Sequence, residues 1–149
     1  MTGLGNRTGY GRTRRPKNIA GPDGTAVALE ASTTPLLGIT ATTAGYDTEN
    51  QRYLHVLVTD NNAGTPAAVT VFGYCHVFTR WFEIPQDQLH SDNTGSTAAA
   101  ITVGTSSNNP ADQTPDEREY RVYEIVGIDR VAFVGNDSNV DVFAACSTF

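Results

Sequence analysis

The chain has 149 residues, enough for one domain with a sizeable core and too few for two ordinary ones, and ten basic against sixteen acidic residues give it a net charge of −6. No stretch approaches the roughly 20 apolar residues of a membrane-spanning helix. The basic N-terminus is followed by no apolar run of the kind a secretory signal needs, so a soluble chain with no membrane partner and no export by that route is expected.

Residues 1–25 are Gly, Thr, Arg and Pro with little apolar content, closing on Gly21-Pro22-Asp23-Gly24. Half of all basic residues lie here, as Arg7, Arg12, Arg14, Arg15 and Lys17, while every acid lies from Asp23 onward. Residues 1–22 are therefore +5, and residues 23–149, with five cations against sixteen acids, are −11. Such a split marks a tail that engages something the body would repel. With too little apolar surface to offset its ordering entropy, the segment reads as an extended arm that takes shape against a partner. Arginine's planar fork suits phosphate and carboxylate alike, so these five residues are the candidate partner-binding set, on protein or on nucleic acid.

From residue 26 to 149 the apolar period is two, which predicts a single β-sandwich domain. Tyr53–Thr59 is a strand ended by Asp60-Asn61-Asn62-Ala63-Gly64. Ala68–Ile84 reads as one long strand, or two joined by a bulge near Gly73, with Val69, Val71, Cys75, Val77 and Trp81 on one face and Phe72, Tyr74, His76, Phe78 and Phe82 on the other. Residues 87–115 form a Ser/Thr/Asn/Gly-rich excursion in which only Ala99–Val103 is strand-like, and Thr114–Tyr120 invites a helical turn. Tyr120–Ile125, Arg130–Val134 and Val140–Cys146 complete the set, the last two separated by the turn Gly135–Asn139. Apolar runs divided by Gly/Asn/Asp clusters, with no amphipathic helix, indicate an all-β antiparallel sandwich or jelly-roll-like barrel behind an extended N-terminal arm.

Catalytic constellations are thin. His55, His76 and His90 have no ligand-motif spacing; His55 and His76 fall on strands that could pair, with Asp60 or Glu83 within reach, but ordinary strand hydrogen bonding is the better reading. Asp137, Asn139 and Asp141 open like a calcium loop, which then fails at Val142 and Thr148. Asn6-Arg7-Thr8 and Asn136-Asp137-Ser138 match the glycosylation pattern without a secretory context. Cys75 and Cys146 sit in apolar runs and read as buried free thiols rather than a disulfide. Tyr74, Trp81, Phe82 and Tyr123 could form a sugar-stacking platform, but core packing fits their positions better. No cofactor, metal or enzymatic activity is expected.

The stretch Val69–Glu83, the run Tyr120–Val134 with its Ile-Val-Gly-Ile-Asp-Arg-Val core, and the closing Phe143-Ala-Ala-Cys146 resemble the small β-sandwich virion proteins of tailed bacteriophages. That resemblance, over about half of the chain, implies a capsid decoration or cement protein on the head surface. It would be a homo-oligomer, usually trimeric, that stabilises the head by binding the major capsid protein or other virion subunits. An arginine-rich arm fits such clamping and equally a head–tail connector or tail-associated protein whose arm faces DNA. From a different class, a carbohydrate- or host-surface-binding module would use exposed aromatics such as Tyr46 and Tyr53.

Overall fold

The computed structural model describes residues 15–31, 44–60, 67–84, 100–103, 118–135 and 140–148. They contain nine strands and no helix: β1 (Lys17–Asn18), β2 (Tyr46–Asp47), β3 (Tyr53–Asp60), β4 (Ala67–Cys75), β5 (Arg80–Glu83), β6 (Ile101–Val103), β7 (Arg118–Glu124), β8 (Arg130–Val134) and β9 (Val140–Ser147). One sheet has the order β1-β9-β3-β7 and the other β2-β8-β4-β5, with β6 paired to the first residues of β4, and every pairing between strands is antiparallel.

The pairings are nested. β1 pairs with β9, β2 with β8, β3 with β7 and β4 with β5, as in one long hairpin rolled on itself. Pairs β3–β9 and β4–β8 then close the roll into two facing sheets. This is the jelly-roll arrangement of two interlocked Greek keys. The fold class expected from the alternating pattern is thus the one observed.

Alternation decides what each strand buries. On β3, Leu54, Val56 and Val58 are fully buried while Tyr53, His55, Leu57 and Thr59 point outward and are half-buried. β9 repeats this with Val140, Val142, Ala144 and Cys146 inward. Val69 and Val71 of β4 lie beside Val131 and Phe133 of the neighbouring strand β8, on the inner face of the second sheet and in the same core. Each such side chain contributes about 1.5–3 kcal/mol on burial, so the inner faces of β3, β4, β8 and β9 carry the fold. β7 departs from the pattern. Its register with Val56 and Val58 turns Arg121 and Glu119 inward, where they pair at 2.6 Å beside the sheet margin. Inward charges on a marginal strand discourage pairing with another chain there.

Three expectations change. The break in Ala68–Ile84 falls at the turn His76–Thr79, and Gly73 lies buried in mid-strand with no bulge. Val77 and Phe78 therefore sit on that turn rather than on strand faces. Arg118–Tyr120 is strand where a helical turn was expected, and residues 114–117 lie outside the described residues.

The leading segment also joins the body earlier than residue 25. Lys17 and Asn18 pair with Cys146 and Ala145, the Ile19 amide donates to the Ala144 carbonyl, and the Val27 amide donates to that of Val142. The Asn18 side chain explains the loop between: its amide donates to the Thr25 carbonyl at 3.0 Å and its oxygen accepts from the Ala20 amide at 2.8 Å. That loop lays Ile19 and Ala20 against the core. At Glu30 the chain crosses to the second sheet, bonding to Phe133 and receiving Gly135.

Candidate interaction surfaces

Of the five basic residues expected to bind a partner, Arg15 and Lys17 are described, and Arg7, Arg12 and Arg14 lie outside the described residues. Arg15 pairs with Asp23 at 2.7 Å and Lys17 with Glu49 at 3.1 Å, all four side chains being largely exposed. These pairs flank a cleft of about 560 Å³ between the leading segment and the β2–β3 turn, with Ile19, Thr48 and Thr148 among its walls. Exposed pairs of this kind are worth at most about 1 kcal/mol and exchange readily. The acidic body attracts its own leading cations, and a better-placed carboxylate or phosphate could take them over.

The outer face of the β1-β9-β3-β7 sheet holds a second feature. Antiparallel sheets with one face in water usually place polar side chains there. Here the outward positions include Leu57, Phe143, Ala145, Val122 and Tyr120. Between Pro16 and Gly24 on one side and Tyr120 on the other lies an open, mostly apolar hollow of about 390 Å³, floored by Leu57, Phe143 and Ala145.

His55 stands at the edge of this hollow and ties three strands together. Its Nδ1 lies 2.6 Å from the Tyr120 hydroxyl of β7 and its Nε2 2.8 Å from Ser147 Oγ of β9. A neutral imidazole donates through one nitrogen and accepts at the other, which satisfies both hydroxyls. Ser147 is 1% exposed, so its hydroxyl is not presented to a substrate, and the chain of contacts acts as a diagonal cross-strand tie. Sequence spacing held no signal for it, because it joins residues 92 positions apart.

Burial holds the His55 pKa below its ordinary 6.5. The unfolded chain therefore takes up a proton before the folded one does, so the stability associated with neutral His55 is complete above about pH 6.5 and is lost as pH falls below it. Urea midpoints measured from pH 7.5 to 5 should decline, and the His55→Asn variant should flatten that decline; a variant with the wild-type profile would refute the assignment.

His55 and His76 do not pair. His55 lies on β3, and His76 opens the β4–β5 turn of the other sheet. Among the described residues Glu83 pairs with neither ring, and the Asp60 side chain lies outside what is described. The Asp129 Oδ2 instead accepts from both the backbone amide of His76 at 2.7 Å and its Nδ1 at 2.7 Å. Desolvation pushes the Asp129 carboxyl up, but the two His76 hydrogen bonds and the imidazole charge outweigh it and hold it below its ordinary 3.8. His90, Asp137 and Asn139 lie outside the described residues, as do Asn6 and Asn136. Among the described residues no cluster of His, Cys, Asp or Glu is placed to hold a metal ion.

This brace defines one end of the roll, where the turns β2–β3, β4–β5 and β7–β8 meet. Thr48 Oγ1 donates to the Ile128 carbonyl at 2.6 Å, and the Asp129 amide donates to Tyr74. Three large apolar side chains project from this end: Val77 and Phe78, 71% and 67% exposed, on the β4–β5 turn, and Val126, 67% exposed, on the β7–β8 turn.

The remaining candidates are structural. Tyr74 and Tyr123 are buried, Phe82 packs against the core, and Trp81 is half-buried with its ring 5.3 Å from that of Tyr74. The Tyr46 hydroxyl accepts from the Ala28 amide, and the Tyr53 ring carries the Arg52 guanidinium at 5.3 Å, so neither ring lies open for a sugar. Cys75 and Cys146 are free and buried, on opposite sheets. Burial, with the charges of Glu49 and Asp47, pushes the Cys146 thiol up to about 12, which leaves it protonated and unreactive. No protein-family model, curated protein or solved structure matches the chain.

Proposed function

We propose that the chain is a non-enzymatic structural subunit of a virion, of the decoration or cement kind, which self-associates and ties capsid subunits together through its cationic leading segment. Jelly rolls serve viral shells and lectins alike, and fold alone does not choose between such roles. The observation that carries the reading is the charge split: +5 over residues 1–22 against −11 over residues 23–149. The fourteen residues before Arg15 can span up to about 50 Å when extended, whereas an eight-residue strand such as β3 covers about 27 Å. Arg7, eight residues before Arg15, can reach about 28 Å from it, the length of one such strand, and so can touch a neighbouring subunit. Two aromatics that a glycan-binding module would use, Tyr46 and Tyr53, are engaged within the fold, which favours the structural reading.

The test is deletion of residues 1–14, which spares β1. The shortened chain should keep its β-type circular dichroism spectrum and thermal midpoint yet lose binding to capsid subunits. Undiminished binding would remove the arm from the mechanism. Binding of the full-length chain to nucleic acid, with a steep linear loss of log affinity against log salt and abolished by the deletion, would replace the capsid partner with packaged nucleic acid.

A further inference from the structure

The body carries an apolar projection at one end and an apolar hollow on one face, and we propose that the Val77–Phe78 turn of one copy seats in the hollow between Pro16 and Tyr120 of the next. This rests on the reading of the chain as a self-associating subunit and names the surfaces that would do it. The projection is well defined. Phe78 and Thr79 amides both donate to the Cys75 carbonyl, Thr79 adopts φ +51°, and Asp129 anchors His76 at the base of the turn. A turn held in this way loses little freedom on docking, so more of its contact energy survives as affinity.

The hollow offers matching chemistry. Its volume of about 390 Å³ falls in the range of sites that take small organic ligands and accommodates one aromatic and one branched side chain. Its floor of Leu57, Phe143 and Ala145 presents no charge to be stranded by an apolar guest. The same copy cannot fill it, because the turn belongs to a hairpin of the opposite sheet and is pinned there by Asp129.

Two different patches of one chain meeting head to tail form a heterologous contact, which closes into rings or runs on as open chains. Covering Phe78 buries about 150–250 Å², well short of the roughly 800 Å² per partner of a standard stable interface. A single contact is accordingly weak and forms toward the top of a concentration series, while larger assembly gains from ring closure or from the leading segments acting together. Val126, on the adjoining turn, widens the contact.

Heterologous geometry gives a decisive mixing experiment with the full-length chain, read by sedimentation velocity over a concentration series. Wild type should form concentration-dependent oligomers. Phe78→Ser, lacking the projection, and Leu57→Arg, filling the hollow, should each weaken association at least tenfold, with unchanged near-ultraviolet circular dichroism. Ala145→Arg serves as the second hollow variant should Leu57→Arg disturb folding. Mixed together, a projection-deficient and a hollow-deficient copy retain one intact pair of surfaces and should form 1:1 dimers and nothing larger. Wild-type assembly by Phe78→Ser, or variants that stay monomeric when mixed, would overturn the docking while leaving the capsid reading in place. A wild-type chain that stays monomeric throughout and ignores capsid subunits would remove both.

Discussion

Replacing Phe133 by alanine should lower the unfolding free energy by about 3–5 kcal/mol, the range for truncating a buried aromatic ring. Phe133 is fully buried on β8, opposite Val71 of β4, in the core between the two sheets. It has Val131 two positions before it on the same face, also fully buried. Because nested pairing ties β8 to both β2 and β4, the sheet cannot collapse around the missing ring without shifting two registers, which keeps the cavity open. At 2–4 °C per kcal/mol for a chain of this size, the thermal midpoint should drop by roughly 6–20 °C. Phe143→Ala is the informative control. That ring is half-buried on the outward side of β9, so its loss should cost about 1 kcal/mol while reducing self-association, since it floors the hollow. Equal stability losses from the two truncations, measured by urea unfolding, would show that inward and outward positions have been misassigned.

The same inward and outward alternation is what made much of the fold legible. Strands β3 and β9 announce themselves by period two over eight residues, β8 by a short apolar run that is buried on both faces, and apolar clusters bounded by turn residues fix the fold class. Strand order is a different matter. Pairing β1 with β9 joins positions more than 120 residues apart, and no local pattern encodes that partnership. Two-residue strands β1 and β2 are also silent in the sequence, because their extended backbone is imposed by β9 and β8.

The hairpin β4–β5 was hidden for a more instructive reason. Its turn, His76-Val77-Phe78-Thr79, contains no Gly, Pro, Asn or Asp and continues the apolar alternation of the strands around it. Thr79 nonetheless takes a left-handed backbone conformation, supported from outside by Asp129, 53 residues from His76. Places where local sequence logic fails are often places with a task, and here the failure coincides with the exposed pair Val77 and Phe78. The candidate arm shows the converse. Its charge is plain from composition, whereas the pairing of Arg15 with Asp23 and of Lys17 with Glu49 depends on how the segment lies along β9.

Gly45→Ala should be nearly as damaging as the loss of a core ring, at about 3 kcal/mol or more, although only one methyl is added. Gly45 has φ +71°, a left-handed conformation that costs an L-residue roughly 1–2 kcal/mol. A Cβ there would also lie 2.9 Å from the Val131 carbonyl carbon and 3.1 Å from Ala132 Cβ, closer still to the Val131 oxygen. The obstacle is backbone of β8, so relief requires pulling β2 away from the Tyr46–Val131 and Asp47–Arg130 pairs. Arg130 resists that movement, since its guanidinium donates to the Ala44 and Gly45 carbonyls at 2.9 Å each. Gly127→Ala separates the two costs. Gly127 has φ +82° but no heavy atom within 4 Å of an added Cβ, so it should suffer the conformational penalty alone, about 1–2 kcal/mol. Comparing the two variants by urea unfolding isolates the steric term. If they prove equally stable, β2 is not clamped against β8, and the second sheet would end at β8 instead.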